Sequence, residues 1–464
     1  MKIFAIGAGV TGQAVAEVMP GRGHDVTVFD SNPAAGAKLP EGVAFVTHED
    51  AAELGRMVVE GAPNLVVASP GIAPSSPLLA PALESLEVVS EPELAWRVQA
   101  EDGGTQPWLC ITGTNGKTTT TQMSAAILAA AGVRAPAVGN IGNSILKAVA
   151  AGEYDALAVE LSSFQLFAVD SIAPAASVCL NLDGDHLDWH GSLEAYRDAK
   201  AQVYERTRRT CVYPLDDQVV TKMVEDAEVE EGVRAIGFTL GHPGPSDIGV
   251  VEDMVVDRAF AANRHKQADF VCYVSEIAGG GASPAIVKDA LAATALTRAI
   301  GIPLEAVAKG LQDFRPAAHR REVFSDAAQV TWIDDSKATN AHAAAASLAG
   351  IKPGTAVWIV GGFAKGQNFV SLVEQVKQRL RGAIIIGEHR EALKEAFAKV
   401  APEVPTVEID GHEDFMMSVA HEAVALSRPG DTVVLAPACA SWDQFHTYAE
   451  RGDAFRSAVE RLPQ

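Results

Sequence analysis

Short apolar runs ending mostly in Gly, Ser, Pro or Asp alternate with longer Ala-rich stretches along most of the chain. The runs are KIFAIG, DVTVFD, NLVVASPG, PWLCITG, ALAVELSS, SVCLNLD, TAVWIVGG, GAIIIGE and DTVVLAPA. A β-run repeatedly followed by a helical stretch predicts an α/β fold of parallel sheets covered by helices. In such sheets ligands sit beyond the carboxyl ends of the strands, so the loops closing these runs are the places to look for chemistry.

The chain has 464 residues, about three times the roughly 150-residue domain size, which leaves room for several hydrophobic cores. Two breaks divide it. The first is the polar, Gly-rich stretch from Glu101 to Pro107, and the second falls near Arg315-Pro316. Three domains are expected, 1–104, 105–315 and 316–464: a Rossmann-like N-terminal domain, a central P-loop ATPase-type parallel sheet, and a Rossmann-like C-terminal domain. Residues 241 to 284, punctuated by GHPGPSD and GGGASP, read as irregular with weak strands.

The net charge of −22 repels nucleic acid and anionic membrane surfaces. A phosphorylated substrate therefore needs a locally basic or backbone-lined site. Five scattered cysteines form no CxxC or zinc spacing, which fits a reduced cytoplasm. No run of 18 apolar residues proposes a membrane span. The opening IFAIGAGV reads as strand and turn rather than signal peptide, because its Gly spacing and Asp30 fit a strand-turn-helix-strand unit.

The segment from Trp108 to Thr119 is a strand, a turn holding Gly113, Thr114, Asn115 and Gly116, then Lys117, Thr118 and Thr119 at the start of a helical pattern. Backbone N–H groups at such a turn face an anion, Lys117 adds a point charge, and Thr118 offers a hydroxyl to Mg²⁺. The general P-loop has a further Gly where this chain has Ile111. Glu160 ends the run ALAVE, and Asp185-His186 follow SVCLNLDG, so carboxylate and imidazole project beside the loop, an arrangement suited to a hard cation. Near the amino end, Gly7, Gly9 and Gly12 follow a strand and Asp30 ends the next one. By itself that is a dinucleotide fingerprint, and an NAD-dependent dehydrogenase is the competing class.

GTNGKTTT resembles the ATP loop of the Mur ligase and folylpolyglutamate synthase superfamily. GNIG (139–142), ELSSFQL (160–166), DHLD (185–188), YRDAK (196–200), His319-Arg320, DDSKATN (334–340) and ACASWDQF (438–445) then follow in that family's order. The resemblance implies an ADP-forming amide ligase that works through an acyl phosphate with ATP and Mg²⁺. It assigns Lys117 and Arg320 to the nucleotide phosphates, Thr118, Glu160 and His186 to magnesium, and Lys200 to the lysine that becomes a carbamate. His319 and Asp335 sit in motifs that meet the nucleotide from the third domain. Many members open a helix with His-Asn-x-x-Asn near adenine; this chain has Pro284 to Asp289 there, and Asp289 takes the second Asn's place.

By the same resemblance the N-terminal domain holds a UDP-linked precursor, with Val10 and Thr11 near the pyrophosphate, Asp30 and Ser31 near the uridine, and Ser69 and Gly71 along the wall. Asn140 would meet the diphosphate or sugar, and Ser162 is a further precursor contact. The third domain would select the amino acid through Lys337, Thr339, Lys365 and Ser441, with Tyr448 where relatives that add D-glutamate often have Phe. Two lysines and two hydroxyls suit a dicarboxylate. The phosphate loop follows a whole Rossmann-like pattern, unlike the folate relatives, and Asp-Asn-Pro-Arg is missing. DSKATN paired with ACASWDQF implies UDP-N-acetylmuramoyl-L-alanine and D-glutamate as substrates, in peptidoglycan synthesis, by a cytoplasmic monomer.

Overall fold

Runs such as LVVA and WLCIT carry apolar side chains at successive positions, which is stable only where both faces of a sheet are covered. In the computed structural model the strands Leu65–Ala68, Trp108–Thr112, Leu157–Glu160 and Ala176–Cys179 are buried at every position. The structure describes residues 1–464 except 185, 186, 280, 281, 317, 365, 366, 412, 413, 463 and 464, and the side chains of 187 and 188. The chain forms two compact units, Met1–Phe314 and Arg315–Gln464.

The first unit holds two sheets. Strands β1 (Lys2–Ile6), β2 (Asp25–Phe29), β3 (Ala44–Val46), β4 (Leu65–Ala68) and β5 (Val88–Ser90) form a parallel sheet in the order β3-β2-β1-β4-β5. Strands β6 (Trp108–Thr112), β7 (Ala137–Gly139), β8 (Leu157–Glu160), β9 (Ala176–Cys179), β10 (Thr210–Pro214), β11 (Arg234–Phe238), β12 (Asp247–Val251), β13 (Met254–Asp257) and β14 (Asp269–Tyr273) make a nine-stranded sheet. Its order is β14-β13-β12-β11-β10-β9-β6-β8-β7, parallel apart from the β12–β13 and β13–β14 pairs.

That antiparallel extension occupies the stretch expected to be irregular. Its order comes from pairing of successive strands, with Val251 opposite Met254 and Asp257 opposite Asp269, and from Arg258, which donates to Pro243 O at 3.0 Å and Arg264 O at 3.0 Å across two turns. Such ties span a Gly- and Pro-interrupted sequence that has no clear period. Strands β10 and β11, also absent from the apolar runs named above, are short and flanked by charged residues.

Two carboxylates at the start of the helix Glu91–Glu101 join the sheets of the first unit. Glu91 accepts from Ser144 Oγ at 2.7 Å and Leu146 N at 2.7 Å. Glu93, fully buried, accepts from Asp170 N at 3.0 Å, Ser171 N at 2.9 Å and Ser171 Oγ at 2.7 Å, as well as from Arg97. Desolvation raises the pKa of Glu91; at Glu93 it acts the same way, but the bonds from Asp170, Ser171 and Arg97 outweigh it and hold this carboxyl below the ordinary range.

The second unit is built on β15 (Glu322–Ser325), β16 (Thr331–Asp334), β17 (Ala356–Gly361), β18 (Leu380–Ile386), β19 (Thr406–Glu408) and β20 (Thr432–Leu435). Their order is β15-β16-β20-β17-β18-β19, with only β15 antiparallel. Three neighbouring strands, β16, β20 and β17, thus end side by side and carry the DDSKATN, ACASWDQF and GGFAKG loops.

Candidate active site

In the nine-stranded sheet β6 lies between β9 and β8, so the loops after these three strands share one edge. The loop after β6 turns through Gly113 at φ +148° and Gly116 at φ +83°, and the helix Lys117–Ala130 begins at once. Both angles lie where side chains are rarely tolerated. A side chain at Gly116 would also collide with the carboxylate of Asp289, which the helix Pro284–Ala299 brings over the turn.

The loop is braced from β9. Asn181 accepts from Asn115 N at 2.9 Å and donates to Asn115 O at 3.1 Å. Thr114 Oγ1 donates to Asp183 O at 3.1 Å and lies 3.1 Å from the Tyr196 hydroxyl. Lys117 Nζ donates to Gly113 O at 2.8 Å and Thr114 O at 2.9 Å, folding its charge against the loop it serves. Thr118 and Thr119 are half-buried in the first helical turn.

Glu160, at the end of β8, is 1% exposed. Asn140 Nδ2 donates to its Oε1 at 2.9 Å, while Oε2 is buried with no hydrogen-bond partner among the described residues. Leaving a carboxylate oxygen unsatisfied inside a protein is costly, and a cation at that oxygen removes the cost. Glu160 therefore fits a magnesium site, and the Thr118 hydroxyl has the right chemistry to join it. His186 lies outside the described residues. Ser162 caps the helix Ser163–Leu166, accepting from Gln165 N at 3.2 Å, with the Gln165 side chain returning to Ser162 N.

Lys200 lies in the helix Leu193–Ala201, where spacing alone reads as a surface lysine. Instead it is 2% exposed. Its Nζ donates to Gly113 O at 2.8 Å, lies 3.4 Å from Thr112 Oγ1, and sits over the Tyr196 ring at 4.9 Å. Asn181, Asp183 and Tyr196 were not singled out as site residues. Asn181 and Asp183 follow a strand in NLDGD, and Tyr196 precedes Lys200 by one helical turn, a spacing that puts both on one face.

At the five-stranded sheet, the loops after β1 and β4 meet where the strand order reverses. A Cβ on Gly7 would come 2.7 Å from Ser69 Cβ, so glycine permits this approach. Asp30 accepts from Ala8 N at 2.7 Å and Asn32 N at 2.8 Å, tying the glycine turn to the end of β2. Val10, Ser31 and Gly71 are exposed and Ser69 half-buried around these loops, while Thr11 is buried in the helix Val10–Val18.

In the second unit, Lys337 Nζ rests 4.1 Å from the centre of the Tyr448 ring, and Lys337 N donates to His319 O at 3.1 Å. His319 Nδ1 lies 2.6 Å from the buried Asp334, which also accepts from Arg456 Nε at 2.7 Å. Burial pushes Asp335 up to about 6, with Ser347 and Arg321 drawing it the other way. Arg320 and Thr339 are half-buried, and Ser441 is buried in the loop after β20. Lys365 lies outside the described residues.

The middle-domain model of the Mur ligases matches residues 111–257, and the Mur ligase, glutamate ligase domain model matches 319–439. A UDP-N-acetylmuramoylalanine–D-glutamate ligase of Streptomyces avermitilis is 49% identical, over 99% of this chain and 98% of its own. Its counterpart from Streptomyces coelicolor is 47% identical with the same coverage. Among solved structures, a pseudomurein peptide ligase type C from Methanothermus fervidus aligns over the whole of both chains with a TM-score of 0.58 at 18% identity. A MurF ligase from Thermotoga maritima in complex with ADP aligns over 93% of this chain and 97% of its own with a TM-score of 0.57 at 16% identity. At those identities the structures speak for the fold, but the Streptomyces sequences match from end to end, and this chain belongs to the Mur ligase family.

Proposed function

We propose that the chain is the ADP-forming ligase that adds D-glutamate to UDP-N-acetylmuramoyl-L-alanine in peptidoglycan synthesis. The observation that carries the reading is the convergence of Lys117, Lys200 and the half-satisfied Glu160 at the ends of β6 and β8. Lys117 and the loop's N–H groups give a backbone-lined site with a local cation in a chain of net charge −22.

The reaction joins two anions before it joins an acid to an amine. The precursor carboxylate attacks the γ-phosphorus of ATP and ADP leaves, giving an acyl phosphate. The amine of D-glutamate then attacks the acyl carbon, phosphate departs with the bonding pair, and a proton leaves the nitrogen. Lys117 and the N–H groups at the start of its helix stabilise charge on the phosphoryl oxygens. Asn181, Thr114 and Tyr196 hold the loop in shape, so little reorganisation is needed as that charge moves. Magnesium, held by Glu160, Thr118, His186 and the carbamate of Lys200, would supply Lewis-acid polarisation of the phosphates.

Asp30, Ser31, Val10, Thr11, Ser69, Gly71, Asn140 and Ser162 bind the precursor, and Asp289 lies on the adenine side of the loop. In 316–464, Lys337, Thr339, Lys365, Ser441 and Tyr448 select the dicarboxylate, while Arg320 and Asp335 serve the nucleotide. Domains 1–104 and 105–315 take the precursor and ATP. No helix among the described residues is long and apolar enough to cross a membrane, and a cytoplasmic monomer suits soluble substrates. Phosphate release should require ATP, Mg²⁺, UDP-N-acetylmuramoyl-L-alanine and D-glutamate together. Equal turnover with L-glutamate, L-alanine or diaminopimelate would remove the assignment.

A further inference from the structure

Arg451, in the second turn of the helix Tyr448–Glu460, is 1% exposed. No carboxylate of the described residues lies within ion-pairing distance of it, an unusual condition for a buried guanidinium. Its donors go to loop atoms instead. Nε donates to Ser336 Oγ at 3.0 Å, Nη2 to Ser336 O at 2.8 Å and Nη1 to Cys439 O at 3.2 Å. The Ser336 hydroxyl passes the link on, donating to Tyr448 O at 2.7 Å. A side chain on Gly362 would come within 3.2 Å of Nη1, so the loop after β17 also borders the guanidinium.

Three strand-end loops and one helix start thus meet on a single planar group. Ser336 adjoins Lys337, Cys439 lies two residues before Ser441, and Tyr448 opens the helix that bears Arg451. We propose that Arg451 is a positioning residue of the amino-acid site, holding Lys337, Ser441 and Tyr448 in one arrangement. The inference rests on reading 316–464 as the part that selects glutamate.

The chemistry separates this role from plain packing. Burial draws the guanidinium down to about 10, so it remains a cation at neutral pH and is expensive to keep inside. An apolar side chain of similar length would serve a helix start at least as well. A lysine keeps the charge but lacks the fork that reaches two loops at once.

The test uses the full chain with ATP and the UDP precursor saturating and D-glutamate varied, for Arg451→Met, Arg451→Lys and Ser336→Ala. Misplaced binding groups should raise the KM for D-glutamate about tenfold or more in Arg451→Met, and less in the other two variants. The KM values for ATP and precursor should stay within about twofold, and the melting temperature of Arg451→Met should match or exceed that of the wild type. An unchanged glutamate KM in Arg451→Lys and Ser336→Ala, or an equal rise in all three constants, overturns the proposal. Should Arg451→Met fail to fold, the other two variants decide the matter. Wild-type phosphate release indifferent to glutamate would instead overturn the functional reading beneath it.

Discussion

Asn140 satisfies one carboxylate oxygen of Glu160 at 2.9 Å and leaves the other buried without a hydrogen-bond partner among the described residues. Glu160→Gln should therefore separate stability from activity. An amide removes the cost of the lone buried carboxylate oxygen, so the melting temperature without Mg²⁺ should hold or rise. Turnover should fall by about 100-fold or more, since the cation would lose its anionic ligand. Calorimetry and phosphate release across a Mg²⁺ titration check both; a variant with wild-type Mg²⁺ dependence would count against a cation at this residue.

Lys200 is expected to work as a carbamate. The ammonium first gives up a proton, the neutral amine attacks CO₂ so that an N–C bond forms as one C–O π pair moves onto oxygen, and a second proton leaves the nitrogen to solvent, turning a cationic side chain into an anionic oxygen donor for a hard cation. Rates should drop when CO₂ is stripped, and again in Lys200→Ala, with partial recovery in formate or acetate. Indifference to CO₂ together with wild-type rates in the Ala variant would leave Lys200 as a brace for Gly113 O.

Asp30→Ala should raise the KM for the UDP precursor and leave those for ATP and D-glutamate nearly unchanged. Uridine is a remote handle that contributes similar binding in ground and transition states. Because Asp30 also accepts from Ala8 N, the glycine turn loses a tie, and Asp30→Asn should fall between Ala and wild type. Three steady-state titrations per variant suffice, and a shift in the ATP constant would contradict separate sites.

Glu93→Gln should cost about 2–4 kcal/mol at neutral pH, because either orientation of the amide turns its NH₂ toward donors, the N–H groups of Asp170 and Ser171 or the Arg97 guanidinium. The pKa of Glu93 is lowered in the fold. Its stabilising contribution is thus complete above the unfolded carboxyl pKa and is lost as pH falls through the folded value. Chemical denaturation from pH 7 into that acid range should show a shallower decline for the variant. An identical slope would assign acid sensitivity to other groups.

The strand ends that carry the site were readable because β6, β8, β9 and β20 are nearly continuous apolar runs ending in turn residues. Other features depended on contacts distant in sequence. Lys200 reads as a surface lysine because its Nζ is held by Gly113 O and Thr112 Oγ1, 87 and 88 residues away, which the helix's own pattern does not show. Arg451 gives no local signal at all, since Ser336 lies 115 residues away. Asn181 braces Asn115 only because β9 pairs with β6. The β12–β14 extension read only as weak strands for a different reason: its strands are four or five residues long, and the stretches before and after them are rich in Gly and Pro, so there was little period to detect.

The carboxylates of Glu91 and Glu93 clamp the helix after β5 to the backbone of the neighbouring sheet. The loop after β1 and the loop after β6 are consequently two ends of a gauge with a set span. On the proposed reading, a substrate anchored by its uridine at one end is measured at the other. Lengthening its peptide by one residue, roughly 3.5 Å of chain, would carry the reacting carboxyl past Lys117, and omitting one would leave it short. On the proposed reading, the order in which residues join the growing peptide is enforced as much by this interval as by any pocket that recognises alanine.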